Sequence, residues 1–402
     1  GTTIDSTFHD EPTLYRAQGR TWTPRFADEY RRRFGDDPRS LYPALWYDMG
    51  PETAGARHRL FGLRTLLYAE AFAGEIDAWA ASHGIVATGH QDQEEIENPV
   101  SVSGDLLGCF RHQAVPGIDK IGGDRPAERF YRLVASAAVN WDRALVMSET
   151  YGAMGDIGID EITTIALEQY TSGINDLIPH AVWYDPQQVV FRPELSWRNP
   201  LYADRLPELT TLLARMNLLL RNDGAHVPDI AVLYPVDGLE AAHHFDGELG
   251  PYRGGVAVPE SNYVDVAAEL EAGLGLDFVF LHPDAIAERC AVRSGAIELE
   301  NRVHAGRFPV LVLPASRAVR PQVVDAVEAL LGEGGAVIAV GMLPRASSDP
   351  WSDAEAADRL ARAIEGSPPR RARRPPGRTG RRVGRAPPAA GRASASDRRR
   401  DA

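Results

Sequence analysis

Lysine is almost missing from this chain: of 43 basic residues, Lys120 is the one lysine and the other 42 are arginine. That bias reflects a GC-rich coding sequence rather than a binding chemistry. Cysteine is equally scarce. Cys109 and Cys290 lie far apart with no His or Cys neighbour at metal-ligand spacing, which argues against a disulfide framework and a zinc site and favours a reducing, cytoplasmic compartment. There is no run of about 18 apolar residues, so no membrane-spanning helix is expected. The N-terminal residues lack the basic-then-apolar pattern of a signal peptide. Gly-x-Gly-x-x-Gly and Walker-type loops are absent, which leaves nucleotide binding without support, and the absence of a Gly-x-Ser-x-Gly elbow weighs against an esterase.

What is present is a chain of 402 residues with 44% hydrophobic content, long enough for two domains with substantial cores. The formal charge of -13 hides a split: residues 368–402 hold twelve Arg against two Asp, a balance of +10, which leaves -23 on residues 1–367. An acidic body argues against a polyanionic ligand such as nucleic acid.

Residues 1–222 alternate short apolar runs with longer amphipathic stretches, the pattern of parallel α/β structure. Strands are predicted at Thr3–Phe8, Ile85–Gly89, Leu145–Ser148 and Leu177–Trp183, with weaker candidates near Leu45 and Ile118. Helices are predicted at Pro24–Arg33, at Arg59–Ser82, and at Pro126–Val139 behind Asp124 as a cap. After the polar break Arg221-Asn222-Asp223-Gly224, residues 228–348 carry four continuously apolar runs: Ile230–Tyr234, Phe278–Leu281, Val310–Leu313 and Ala336–Val340. They read as strands covered on both faces, with helices Val264–Ala272 and Gln322–Leu331 between them. This is an open, flavodoxin-like α/β domain. Residues 367–402 are Arg, Pro, Gly, Ala and Ser without apolar period and are expected to be a disordered tail.

Two acidic motifs stand at the ends of strand-like runs, where a barrel enzyme places its acids and bases. Glu11 follows Asp10 and precedes Pro12, which is expected to hold it extended. Glu149 follows Leu145-Val146-Met147-Ser148 and precedes the small residues Gly152-Ala153-Met154-Gly155, with room for a ligand. For either residue a turn or helix-capping role is the alternative. A third strand-end cluster, His90 with Gln91, Asp92, Gln93, Glu94 and Glu95, suits hydroxyl recognition or Ca²⁺, or is a solvated loop. His112 and Gln113 precede Asp119 and Lys120, which read more readily as a surface ion pair. Asn175, His180 and Asp185 flank the last predicted strand of this half, and Trp22, Trp46, Tyr47, Trp183, Tyr184 and Trp197 offer aromatic faces to sugar rings or to the core. Asp237, His243, His244 and Asp246 lack regular metal-ligand spacing.

The segments Asp10-Glu11-Pro12, Trp22-Thr23-Pro24-Arg25-Phe26 and Tyr30-Arg31-Arg32-Arg33-Phe34-Gly35-Asp36-Asp37 resemble the bacterial α-L-rhamnosidases of glycoside hydrolase family 106. His83-Gly84-Ile85, Thr88-Gly89-His90, Val115-Pro116-Gly117-Ile118-Asp119, Ala135-Ser136-Ala137-Ala138, Ser148-Glu149, Gly173-Ile174-Asn175, Pro179-His180 and Leu233-Tyr234-Pro235 continue the match in order, over about residues 4–345. The resemblance implies the later part of a (β/α)8 TIM barrel, entering near its fourth strand, followed by a flavodoxin-like domain. Glu11 and Glu149 would be its general acid and base, cleaving O-glycosidic bonds of α-L-rhamnosides. His90, Asp92, His112, Asn175, His180 and Trp183 become candidate substrate-binding residues, an oligosaccharide or glycoside the partner, and Ca²⁺ a possible ligand; no cofactor is required. Two other readings stay open: a retaining β-galactosidase-like hydrolase, and a catalytically inactive carbohydrate-binding fragment.

Overall fold

The computed structural model describes residues 3–14, 20–122, 128–221, 226–248 and 256–366. The Asp124 cap, the Asn222-Asp223-Gly224 break and the 367–402 tail lie outside the described residues.

The first half is built on five short parallel strands in chain order: β1 (Ser6–His9), β2 (Val86–Gly89), β3 (Gly117–Lys120), β4 (Met147–Thr150) and β5 (Asp176–Pro179). β1 pairs with β2, and β3, β4 and β5 pair in sequence. A parallel bridge from Thr88 to Val115 joins the two groups. Glycine makes that junction possible. A Cβ on Gly117 would sit 2.3 Å from the Gly89 carbonyl and 2.4 Å from the Met147 side chain, so the strands close up only because none is there.

Between β1 and β2 run α1 (Phe26–Phe34), α2 (Thr53–Ala69) and α3 (Glu75–Ser82), the last two joined by a π turn at Glu70–Gly74. α4 (Leu106–Phe110) is capped by the Asp105 carboxylate, which accepts from the Gly108 amide. α5 (Glu128–Trp141), α6 (Ile159–Thr171) and α7 (Leu206–Arg221) follow β3, β4 and β5. The single helix predicted over Arg59–Ser82 is therefore α2 and α3 with an extra residue looped out between them. The strand predicted near Leu45 is instead a 3-10 turn, Tyr42–Leu45, with Pro43 at its start: proline withholds the amide that a ladder requires. The predicted Leu177–Trp183 strand ends earlier, at Pro179. β4 begins two residues later than expected and therefore contains Glu149.

The second half holds a four-stranded parallel sheet, β6 (Ile230–Leu233), β7 (Val279–Leu281), β11 (Val310–Pro314) and β13 (Ala336–Val340), in the spatial order β13-β11-β6-β7. Counted along the chain, the order is second, first, third, fourth, that of doubly wound α/β sheets. α8 (Val236–Ala242), α9 (Tyr263–Ala268), α10 (Pro283–Arg289), α11 (Pro321–Gly332) and α12 (Ala356–Glu365) complete it. β13 is an edge strand with Ile338 half exposed, not a strand covered on both faces. The sequence reading also missed an antiparallel insertion, β8 (Cys290–Arg293), β9 (Ala296–Leu299) and β10 (Gly306–Phe308), and the short pair β12 (Ala318–Val319) with β14 (Ala346–Ser347).

The halves share one buried core running from Phe26 and Leu60 through Trp141 to Phe280 and Leu330. Helix α5 forms the seam. Asn140 Nδ2 donates to the Phe280 carbonyl at 2.8 Å, the His282 amide donates to Asn140 Oδ1 at 2.7 Å, and the Phe280 amide donates to Ser136 Oγ at 2.9 Å. Two side chains thus satisfy the edge of β7, which would otherwise bury unpaired backbone groups.

Candidate active site

The five parallel strands end together, and each end carries polar side chains. β1 delivers Asp10 and Glu11, β2 delivers His90 to Glu95, β3 ends on Asp119 and Lys120, β4 on Glu149, and His180 follows β5. Loops leaving the C-terminal ends of parallel strands are where α/β proteins build sites, because there the scaffold is rigid and the loops are free to carry chemistry.

Glu11 is exposed and sits at φ 43°, in the left-handed region rather than extended. The chain turns sharply here because the next residues are pinned to another loop: the Leu14 amide and Thr13 Oγ1 both donate to the Val102 carbonyl, at 2.5 and 3.3 Å. That tether overrides the preference set by Pro12.

His90 is the centre of the cluster. Its Nε2 lies 3.2 Å from Asp10 Oδ1 and 3.2 Å from Glu149 Oε2; its Nδ1 lies 3.0 Å from the Gln91 carbonyl and 3.5 Å from Glu94 Oε1. Burial opposes a charge on this ring, but Glu149 and Glu94 outweigh it and hold the imidazolium up to about 12. The hydrogen bond from His90, against the opposing effect of burial, holds Glu149 below the ordinary carboxylate range. Glu94 is fully buried, and desolvation pushes it up to about 7 although His90 pulls the other way. The 90–95 segment is therefore no solvated loop: His90, Gln91, Asp92, Glu94 and Glu95 are all buried, and Tyr68 donates to Gln91 Oε1 at 2.7 Å.

Asp119 is the residue the sequence reading undervalued. It does not pair on the surface with Lys120, which is itself buried. Its Cα partner across the parallel ladder is Glu149, so the two side chains rise from one face of neighbouring strands. Burial pushes Asp119 up to about 8; His90 pulls it down, while Glu94, Glu149 and Glu11 push it further up. Period-2 alternation was the available signal, since Asp119 and Glu149 each occupy the third position of a Gly-Ile-Asp-Lys or Met-Ser-Glu-Thr strand.

His180 Nε2 lies 4.0 Å from Glu149 Oε1, and Trp183 packs edge-on against the His180 ring at 5.3 Å between centroids. Gly152 backs onto the same ring, at 3.6 Å from a Cβ placed there, so the small residues after Glu149 accommodate His180. The structure thus gathers Asp10, Glu11, His90, Glu94, Asp119, Glu149, His180 and Trp183, with Asp92 buried in the neighbouring loop.

Two candidates go elsewhere. Asn175 precedes β5 and lies at the opposite, N-terminal end of the strands, where its Oδ1 accepts from the Val146 amide at 2.8 Å and its Nδ2 donates to the Ala144 carbonyl at 2.9 Å. It staples the start of β4. His112 follows α4 and lines a separate cleft of about 410 Å³ with Arg33, His58, Asp105, Glu240 and Arg320. Asp237, His243, His244 and Asp246 do not converge either: Asp237 is bound by Arg320, His243 packs on Phe61, and Asp246 pairs with Arg20.

Among the described residues, Asp10, His90 and Glu149 bring three possible donor atoms within 4.8 Å. The set does not fit Ca²⁺, which takes six to eight oxygens: it offers two carboxylates turned onto a histidine that already bridges them.

No family model and no curated protein matches the sequence. Several solved structures are similar, two of which follow. One is a rhamnosidase from Novosphingobium sp. PP1Y, with a TM-score of 0.61 and 19% identity, covering 86% of this chain and 32% of that one. The other is a catalytic mutant of Gan42B, a GH42 β-galactosidase from G. stearothermophilus, with a TM-score of 0.54 and 12% identity, covering 81% of this chain and 49% of that one. At these identities the likeness is one of fold alone, and the chain spans about a third and about half of the two proteins. No described helix is long and apolar enough to cross a membrane.

Proposed function

We propose that this chain is the later part of a (β/α)8 barrel followed by a flavodoxin-like domain, with the boundary at about residues 222–228, and that it belongs to a glycoside hydrolase acting on α-L-rhamnosides. One observation carries the reading. Asp119 and Glu149 are register partners at the ends of neighbouring parallel strands and their surroundings push them in opposite directions, the His90 hydrogen bond lowering Glu149 and burial raising Asp119 to about 8. Such a divided pair is what acid–base cleavage of a glycosidic bond requires.

In this mechanism Glu149 is the ionised carboxylate that takes a proton from the attacking water. The leaving oxygen receives a proton from a second carboxyl, which is Glu11 by the resemblance; Asp119, which keeps its proton at neutral pH, is the second reading. His180 and Trp183 border the sugar position beside Glu149, and the glycoside is the only partner invoked. An inverting course needs the acting carboxyls about 6.5–9.5 Å apart and a retaining one about 5 Å.

The test is turnover of nitrophenyl α-L-rhamnoside and β-galactoside, with the anomer formed read by NMR. Glu149→Gln should abolish turnover on both. The variant of the true acid, Glu11→Gln or Asp119→Asn, should lose turnover on alkyl rhamnosides about 10²–10⁴-fold and keep it on a dinitrophenyl rhamnoside, whose leaving group needs no proton. Sugar binding without turnover, unaltered by Glu11→Gln and Glu149→Gln, would leave a carbohydrate-binding fragment instead.

A further inference from the structure

We infer that His90 is a positioning residue: a lasting imidazolium that bridges the ends of β1 and β4 and aims the Asp10 and Glu149 carboxylates into the strand-end site. The inference rests on the glycosidase reading for its catalytic consequence, but not for its structural content.

The argument is one of donors and acceptors. The oxygens hydrogen-bonded to the ring nitrogens both accept, the Glu149 carboxylate at Nε2 and the Gln91 carbonyl at Nδ1, while the Asp10 carboxylate lies 3.2 Å from Nε2 and Glu94 Oε1 3.5 Å from Nδ1. A neutral imidazole carries one N–H, so one nitrogen would turn a lone pair onto oxygen lone pairs. Only the doubly protonated ring can donate on both sides. Water cannot relieve the conflict, because the His90 side chain is 1% exposed and that of Glu94 2%, and the Phe8 ring closes one side at 5.6 Å.

The charged and titratable groups about the ring come from each neighbouring element. His9 and Asp10 stand at the end of β1, Glu94 in the loop after β2, Asp119 at the end of β3 and Glu149 on β4. His9 does not compete for the proton: burial and the His90 charge together hold it down to about 4. Burial holds the Asp119 proton up to about 8, and the Glu149 and Asp10 carboxyls both lie 3.2 Å from the same ring nitrogen. Glu149 is 18% exposed against 71% for Asp10. The bridge therefore ties a sheltered carboxylate to an open one across β2 and β3, and makes the β1 loop part of the site.

Two catalytic consequences follow. Glu149 stays ionised to lower pH than an isolated carboxylate, which sets the acidic limb of turnover, and the segment carrying Glu11 is tied to Glu149 through Asp10.

The decisive measurement is ring-nitrogen NMR on the full chain labelled with ¹⁵N-histidine. The His90 signal is assigned by its loss in His90→Gln or, if that variant does not fold, by the ring that responds to Asp10→Asn and persists in His9→Phe. The wild type should keep an imidazolium pattern for this ring at pH 9, and Glu149→Gln should bring its midpoint down by at least one unit. A neutral tautomer at pH 9, or a midpoint unmoved by Glu149→Gln, would overturn the inference. In turnover, His90→Gln should raise the acidic limb of kcat/KM for nitrophenyl α-L-rhamnoside by about one unit or more. A merely structural role would lower the whole profile and leave the limb in place. Should the wild type cleave no glycoside, the proposed function fails while the NMR still decides the charge on His90.

Discussion

Replacing Gly89 by alanine is expected to be among the most damaging single-methyl changes in the chain. Gly89 is the last residue of β2 and adopts φ 141°, where a side chain is strained. A Cβ there would lie 2.2 Å from the His9 carbonyl and 2.7 Å from the His9 ring. The ring cannot retreat easily, since it packs edge-on against Phe72 at 5.3 Å. The carbonyl cannot either, since it pairs β1 with β2 and accepts from the His90 amide at 3.3 Å. Backbone strain contributes about 1–3 kcal/mol and overpacking about 1–3 kcal/mol, offset by about 0.4–1 kcal/mol from the stiffer unfolded chain. The net loss is about 1–5.5 kcal/mol. Gly35→Ala is the internal control: its φ is 81°, but nothing lies within 4 Å of the added methyl, so it should lose only about 1 kcal/mol. Urea unfolding followed by fluorescence compares the two. Equal losses would refute the reasoning, because they would mean that β1 does not lie against β2 in the register described and that His9 and His90 do not meet there.

Further outcomes follow from the same geometry. Because burial holds the Asp119 proton up to about 8, any step that uses it should fail as pH rises through that value. Asp119→Asn should remove that basic limb from the kcat/KM profile between pH 6 and 10, and a limb that persists would assign it to another group. His9 has both ring nitrogens buried without a hydrogen-bond partner and is held down to about 4. Its neutral form then contributes stability that is present above pH 6.5 and lost as pH falls toward 4. His9→Phe should narrow the drop in Tm between pH 7 and 4.5, and an unchanged drop would show that His9 takes no part in it. In the second half Arg320 donates to both Asp237 oxygens and to Asp284. Arg320→Ala strands two carboxylates, one of them buried, and should destabilise by about 3–5 kcal/mol; a loss below 1 kcal/mol in urea unfolding would show the pairs to be solvated.

Much of the scaffold was legible in the chain. The runs at residues 230, 278, 310 and 336 are β-branched, aliphatic or aromatic without a polar break, and all four form strands, three of them covered and the fourth at the sheet edge. The strand ends at Gly89 and near Glu149 were legible as well, since apolar runs stop there in polar residues. Leu45 misled because it is apolar and isolated: its neighbour Pro43 withholds the amide that a strand would need. The insertion over residues 290–308 was missed because its strands are short and its pairing is settled between segments rather than within them.

The sequence by itself determined that this is an α/β chain with acidic groups at strand ends, because composition and periodicity act locally. Tertiary structure decided which acids meet. His112 and Asn175 were as plausible as His90 in one dimension, yet one lines another cleft and the other staples the far end of a strand. Asp119, read as half of a surface ion pair, became the register partner of Glu149. The electrostatic setting, too, exists only in three dimensions: burial raises Asp119 and the hydrogen bond from His90 lowers Glu149, and neither burial depth nor that distance is carried by a residue alone.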